Sequence, residues 1–289
     1  MRERLHAMKV VARTQLTESL LSPGVYVALG IGMGIGWLLC AGFVRSMDSS
    51  GFDPRLNGFW DFATRALSGA FGPVFVERMF SDGPFLAILI ISVAPVVLFL
   101  AIGSVFRFGM EKAVGAVELI VYGPADGTAY FLGSVIKDAA LSLGALAVLT
   151  LYFLLLAWVQ NLVIGPFFFA FLPVILLLSL SLSAFGILCS TIVSHAAAAL
   201  ALFIALGLLF CAVMAGSLGS SVSSVRQAAQ VASAAIQWIS PLYYAAMSAR
   251  GFGGGSALGY SSGLLLLLIL SAVVLLASHF IIRRRGVRA

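Results

Sequence analysis

The sequence predicts an all-α polytopic membrane protein with six transmembrane helices. Hydrophobic residues make up 61% of the 289-residue chain and charged residues only 10%. Mean hydropathy is +1.10, outside the range of ordinary soluble domains. Six separate runs each offer about 20 apolar residues, the number a helix needs to cross a hydrocarbon core of roughly 30 Å. Between them the chain leaves room for one membrane domain, 1–289, and for no separate soluble domain.

The elements follow in order. Over residues 2–21, Leu5, Met8, Ala12, Leu16 and Leu20 recur at helical spacing, with Arg2, Arg4, Lys9 and Arg13 interspersed. This predicts an N-terminal amphipathic helix lying at the interface; the alternative is an unstructured basic leader that only sets orientation. It is not read as a signal peptide, because no compact apolar core follows the basic residues. Ser22-Pro23-Gly24 breaks the helix and turns the chain into the membrane.

The first span is 25–44. Its Gly30, Gly32, Gly34 and Gly36 form two overlapping GxxxG pairs, which let backbones approach closely. The face would pack on another helix or on a second subunit, although glycine is also simply frequent in membrane helices. Residues 45–83 form an external loop whose charges nearly balance, with Trp60, Phe62, Phe71 and Phe75 marking short helices resting at the interface. The second span, 85–106, contains Pro95, a predicted kink. The remaining spans are 139–157, 166–189 with Pro173 in its first third, 196–215 and 263–282. Residues 216–262 are read as external. They hold a short helix up to Trp238 and Ile239, a second over 242–250 after Pro241, and a glycine- and serine-rich turn over 251–262.

The most charged interruption after Phe85 is 107–138, with Arg107, Glu111, Lys112, Glu118, Asp126, Lys137 and Asp138. With both termini inside, eleven basic residues fall on cytoplasmic segments and six on external ones. Four of the six lie in the long loop, where charge counts least toward topology. Both termini and the 107–138 segment are therefore expected in the cytoplasm. The net charge of +6 then reports topology and contact with anionic lipid. No basic stripe with interleaved aromatics occurs, so nucleic acid is not an expected partner.

Several chemistries lack their residues. Cys40, Cys189 and Cys211 lie in apolar runs and form no CxxC pair, so neither metal nor redox chemistry is read from them. No His precedes a Glu, which excludes an HExxH zinc site. Within the six runs only His279 is ionisable, which argues against an ion-coupled carrier or an intramembrane aspartyl protease. Gly259-Tyr260-Ser261-Ser262-Gly263 fits GxSxG, but that motif needs a strand–turn–helix elbow, and here it opens a membrane helix. Lys9, Lys112 and Lys137 do not follow glycine, so no Walker A motif is present. No catalytic, cofactor-binding or metal-binding residue is assigned.

The arrangement resembles the membrane subunit of an ABC-2 type transporter over nearly the whole chain. An interfacial helix precedes six spans. After the second span, Glu111-Lys112-Ala113-Val114-Gly115-Ala116-Val117-Glu118-Leu119 and then Tyr122-Gly123-Pro124 are similar to the family's glutamate, glycine, second glutamate and downstream proline. Gly133 and Lys137-Asp138 stand where the family begins its third span with a glycine and a basic residue, although here Ser134 follows the glycine directly. Ile239-Ser240-Pro241-Leu242-Tyr243-Tyr244 and Arg250 are similar to the segment the family folds as outer-leaflet helices.

The resemblance implies a permease subunit in a cell membrane, of the bacterial plasma or inner membrane type. It would act as an exporter and pair with a second permease subunit, identical or related. A soluble ABC ATPase subunit would carry the ATP and Mg. Glu111, Lys112, Gly115, Glu118 and Pro124 would form the ATPase-coupling element, with Glu111 and Glu118 seven apart and so on one helix face. Gly133, Lys137 and Asp138 would mark the third-span boundary. Trp238, Pro241 and Tyr244 would form an external gate. The alternatives are a membrane scaffold or assembly factor that moves nothing and, more remotely, an intramembrane hydrolase using Ser261.

Overall fold

Apolar runs of this length must satisfy their backbone hydrogen bonds internally, and helices do so. A computed structural model describes residues 2–50, 64–65, 67–69, 71–81, 83–113, 127–193, 195–219 and 235–285. Every regular element among them is helical. The elements are α1 (Arg2–Leu21), α2 (Pro23–Ser50), α3 (Pro73–Ser81), α4 (Phe85–Ala113), α5 (Gly127–Val159), α6 (Pro166–Ile192), α7 (Ala196–Gly219), α8 (Pro241–Gly253) and α9 (Ala257–Arg285). Six stretches are long and apolar enough to cross a bilayer: Pro23–Arg45, Phe85–Met110, Thr128–Val159, Pro166–Ile192, Ala196–Met214 and Ala257–Ile282. The chain is a multi-pass membrane protein.

Helices α4 and α6 form the centre. They pack on each other, α2, α5 and α7 pack against α4, and α9 packs against α6. In their most apolar windows 61% and 56% of residues are buried, against 17% in α7 and 22% in α9. The outer helices turn Leu208, Leu265, Leu276, Leu151 and Leu155 outward, as lipid-facing surfaces do. Both α4 and α6 continue as helices through their internal prolines, Pro95 and Pro173.

The first glycine pattern divides by face. A Cβ on Gly32 would meet the Ser92 carbonyl oxygen at 2.6 Å, and one on Gly36 would meet the Phe153 ring at 2.6 Å. These two glycines set the close approach of α2 to α4 and α5. Gly30 and Gly34 meet nothing within 4 Å and belong to the outward face.

The structure moves several sequence-based boundaries; α2 runs on to Ser50 and α4 to Ala113, past the expected ends at 44 and 106. Helix α5 begins at Gly127, twelve residues before the predicted start at 139, because 127–136 is apolar and Lys137 and Asp138 neutralise each other. Helix α9 begins at Ala257 rather than 263, and the predicted 251–262 turn shrinks to Gly254–Ser256. Gly251 and Gly259 in that stretch, and Gly263 just after it, are contact points: a Cβ on Gly251 would lie 2.4 Å from the Gly259 carbonyl carbon, and one on Gly263 2.2 Å from Ser248 Oγ. They let α8 lie directly on α9. Gly255, at φ +74°, supplies the left-handed residue of the turn.

Phe75 is turned into the protein. It is 1% exposed, with its ring 5.9 Å from that of Phe167 and 5.6 Å from that of Phe171. Helix α1 forms over the expected residues, Arg2–Leu21. Its buried stripe runs through Ala12 and Gln15, with Met8, Leu16 and Ser19 half-buried, and it faces α5. Leu20, on the predicted apolar face, is 45% exposed. Trp60 and Phe62 lie outside the described residues, as does most of the predicted 222–239 helix, of which 235–239 is helical.

The α5–α6 connection follows the expected short turn over 158–165. Asn161 adopts φ +56°, and the Leu162 N–H donates to the Ala157 carbonyl at 2.9 Å. This is a Schellman termination, with Asn in place of the usual glycine.

Candidate functional site

Three helices bring charge together at the end of the bundle where α1 lies. Ser104 and Arg107 are three residues apart on α4 and therefore share a face. Arg107 reaches α1: its Nη1 donates to the Gln15 carbonyl at 3.2 Å and to Ser19 Oγ at 3.1 Å, and its Nη2 forms an ion pair with Glu18. Ser104 reaches α5, where its Oγ lies 2.9 Å from Asp138 Oδ2. Asp138 Oδ1 in turn accepts from Lys137 Nζ at 2.6 Å. Adjacent residues on a helix do not face each other; the flexible lysine stem bends back to make this pair.

The two ion pairs differ in their surroundings. The side chains of Lys137 and Asp138 are 4% and 8% exposed, those of Arg107 and Glu18 21% and 61%. The first pair is almost wholly buried, so each partner depends on the other. The second is open to solvent and is worth little energetically by itself; its role is to hold α1 in register.

Gly133 fixes the seat of α1. A Cβ there would meet Val11 Cγ1 at 2.9 Å and the Met8 carbonyl at 3.2 Å. Gly133 thus admits α1, and Lys137 and Asp138 are buried within a continuous helix. This pair lies just before the 139–157 run, within the longer apolar stretch Thr128–Val159. Sequence reasoning placed the pair at a boundary because it ended the charged segment. A signal for burial was present in Ser104, a polar residue set among apolar ones on the preceding span.

Glu111 and Lys112 fall in the last turn of α4, while Gly115, Glu118 and Pro124 lie outside the described residues. The segment expected to meet a partner therefore joins α4 to α5, and α1 is tied to both helices.

At the opposite end the structure brings Trp238, Pro241 and Tyr244 together. Pro241 opens α8 at its first turn, where a missing N–H costs nothing. The Tyr244 hydroxyl donates to the Trp238 carbonyl at 2.8 Å, while Trp238 itself is 71% exposed. Burial, and then the neighbouring Tyr243, push the Tyr244 phenol above its ordinary pKa. Beside them is a cavity of about 630 Å³, lined by Phe71, Phe75, Met214, Gln237, Tyr243 and Arg250 among others.

The GxSxG stretch lies in the first turns of α9. Ser261 Oγ donates to the Leu258 carbonyl at 3.3 Å, within its own helix, and the motif's two glycines are the α8–α9 contact points. His279 stands about 27 Å further along the same helix at 1.5 Å per residue, its ring 5.6 Å from that of Phe131 and tilted 45° to it. Among the described residues no three His, Cys, Asp or Glu side chains come together as metal ligands would.

No protein-family model matches this sequence, and no curated protein matches it either.

Proposed function

We propose that this chain is the membrane-spanning permease subunit of an ATP-binding cassette exporter, driven by a separate soluble ATPase. The observation that carries the reading is the junction of α1, α4 and α5. Helices α4 and α5, which carry the two ends of the charged 107–138 segment, are both tied to α1, through Arg107 on one side and Gly133 on the other. A force applied to that stretch would reach α1, α4 and α5 together. The absence of a Gly-Lys-Ser/Thr sequence agrees with a motor on another polypeptide, which would bind the ATP and Mg.

In this reading both termini and the α1 end face the cytoplasm of a cell whose plasma membrane holds two permease subunits. Glu111, Lys112, Gly115, Glu118 and Pro124 meet the ATPase. Closure of the ATPase pair moves the junction and opens a path between the subunits. At the far end, Trp238, Pro241 and Tyr244 act as the outer gate. The apolar, serine- and phenylalanine-rich helices suit an amphipathic or lipid-like substrate.

The test is ATP hydrolysis by the partner ATPase, measured with and without this chain in liposomes. Stimulation by the wild type supports a transporter. An unchanged rate supports the alternative, a membrane scaffold that moves nothing.

A further inference from the structure

Between the two ion pairs lies a cavity of about 210 Å³. Glu18, Arg107, Lys137 and Asp138 line its polar side, and Val25 and Phe99 are among its apolar walls. Its depth can be read from α5: Asp138 is about 32 Å from Val159 at 1.5 Å per residue. That is the thickness of a hydrocarbon core, and Trp158, 81% exposed, suits the far interface. The cavity therefore sits at headgroup level at the α1 end, below the break at Ser22. Leu20 and Leu21, 45% and 79% exposed, lie at the end of α1 just before that break.

We infer that this cavity binds a phospholipid headgroup bearing a phosphate and a primary ammonium, as in phosphatidylethanolamine. Two cations and two carboxylates line it, so a zwitterion meets both signs where a simple anion would face Glu18 and Asp138. Arg107 and Lys137 are the phosphate donors. Glu18 and Asp138 accept N–H bonds from the ammonium, which a quaternary choline cannot donate. Val25, Phe99 and Leu141 continue the surface toward the acyl chains. The volume is below the roughly 300–1,000 Å³ of drug-sized ligand sites, which fits a headgroup held at the edge of the bilayer. The inference is independent of whether an ATPase binds this chain.

Gly103 offers a test that leaves the charges intact. It lines the cavity, and a Cβ there meets nothing within 4 Å. Gly103→Leu therefore fills the space without breaking either ion pair. The full chain is purified in detergent and titrated with phosphatidylethanolamine, phosphatidylcholine and phosphatidylglycerol of identical acyl chains, with bound lipid read by native mass spectrometry. Saturable binding is expected for phosphatidylethanolamine, about tenfold tighter than for the other two, and lost in Gly103→Leu at an unchanged unfolding temperature. Equal binding of all three lipids, or retention of the preference by Gly103→Leu, overturns the inference. Saturation by soluble O-phosphoethanolamine without any by the lipid would assign the cavity to a soluble phosphoamine and likewise overturn it.

Discussion

Gly36 stands where the Phe153 ring crosses α2, and no larger residue fits there without movement. Gly36→Leu should lower stability by about 1–3 kcal/mol through overpacking. Gly30→Leu, on the outward face, should stay within about 0.5 kcal/mol. Unfolding in detergent micelles compares the two. The sequence supplied the glycine spacing but not which pair faces inward, because GxxxG at two offsets looks the same from either side. The buried Lys137–Asp138 pair makes a second residue-scale prediction. Lys137→Met leaves a buried carboxylate unpaired and should cost about 3–5 kcal/mol, while Lys137→Met with Asp138→Leu should recover most of it. Tyr244 makes a third. Its phenol is neutral in the fold beyond its ordinary range, so its contribution is full below about pH 10 and falls as pH rises above that value. The unfolding temperature should drop more steeply with rising alkaline pH in wild type than in Tyr244→Phe.

At the scale of elements, α1 is the least self-sufficient helix. It buries only a narrow stripe, and its link to α4 runs through Arg107. Arg107→Gln should speed amide hydrogen exchange along α1 while leaving the α5 core protected; equal protection in both helices would show that Gly133 alone seats it. The six apolar runs were legible because length and hydropathy dominate membrane insertion. Their ends were less so. Helix α5 starts at Gly127 because a lysine and an aspartate that pair with each other need not stop a helix. Helix α9 starts at Ala257 because its glycines serve contact rather than a turn. Burial of Phe75 was not legible, since it depends on Phe167 and Phe171, about ninety residues away in sequence.

At the scale of the whole molecule, the structure is a bundle centred on α4 and α6, with the charged junction at one end and the Trp238–Tyr244 cluster at the other. The candidate site was half legible. Composition isolated 107–138 as the charged interruption, but the burial of the Lys137–Asp138 pair and the clasp on α1 arise from tertiary contacts between helices far apart in the chain. If the 107–138 segment couples to a motor, Glu111→Arg should weaken ATPase association several-fold without reducing the amount of chain in the membrane, as read by quantitative immunoblotting of fractions. The most direct test is affinity purification of the full chain from native membranes in mild detergent, with mass spectrometry of what accompanies it. A soluble ATPase recovered in stoichiometric amount, and depleted by Glu111→Arg, is the predicted result. Recovery of the chain without any ATPase under several gentle conditions would contradict the permease account and leave a membrane scaffold in its place.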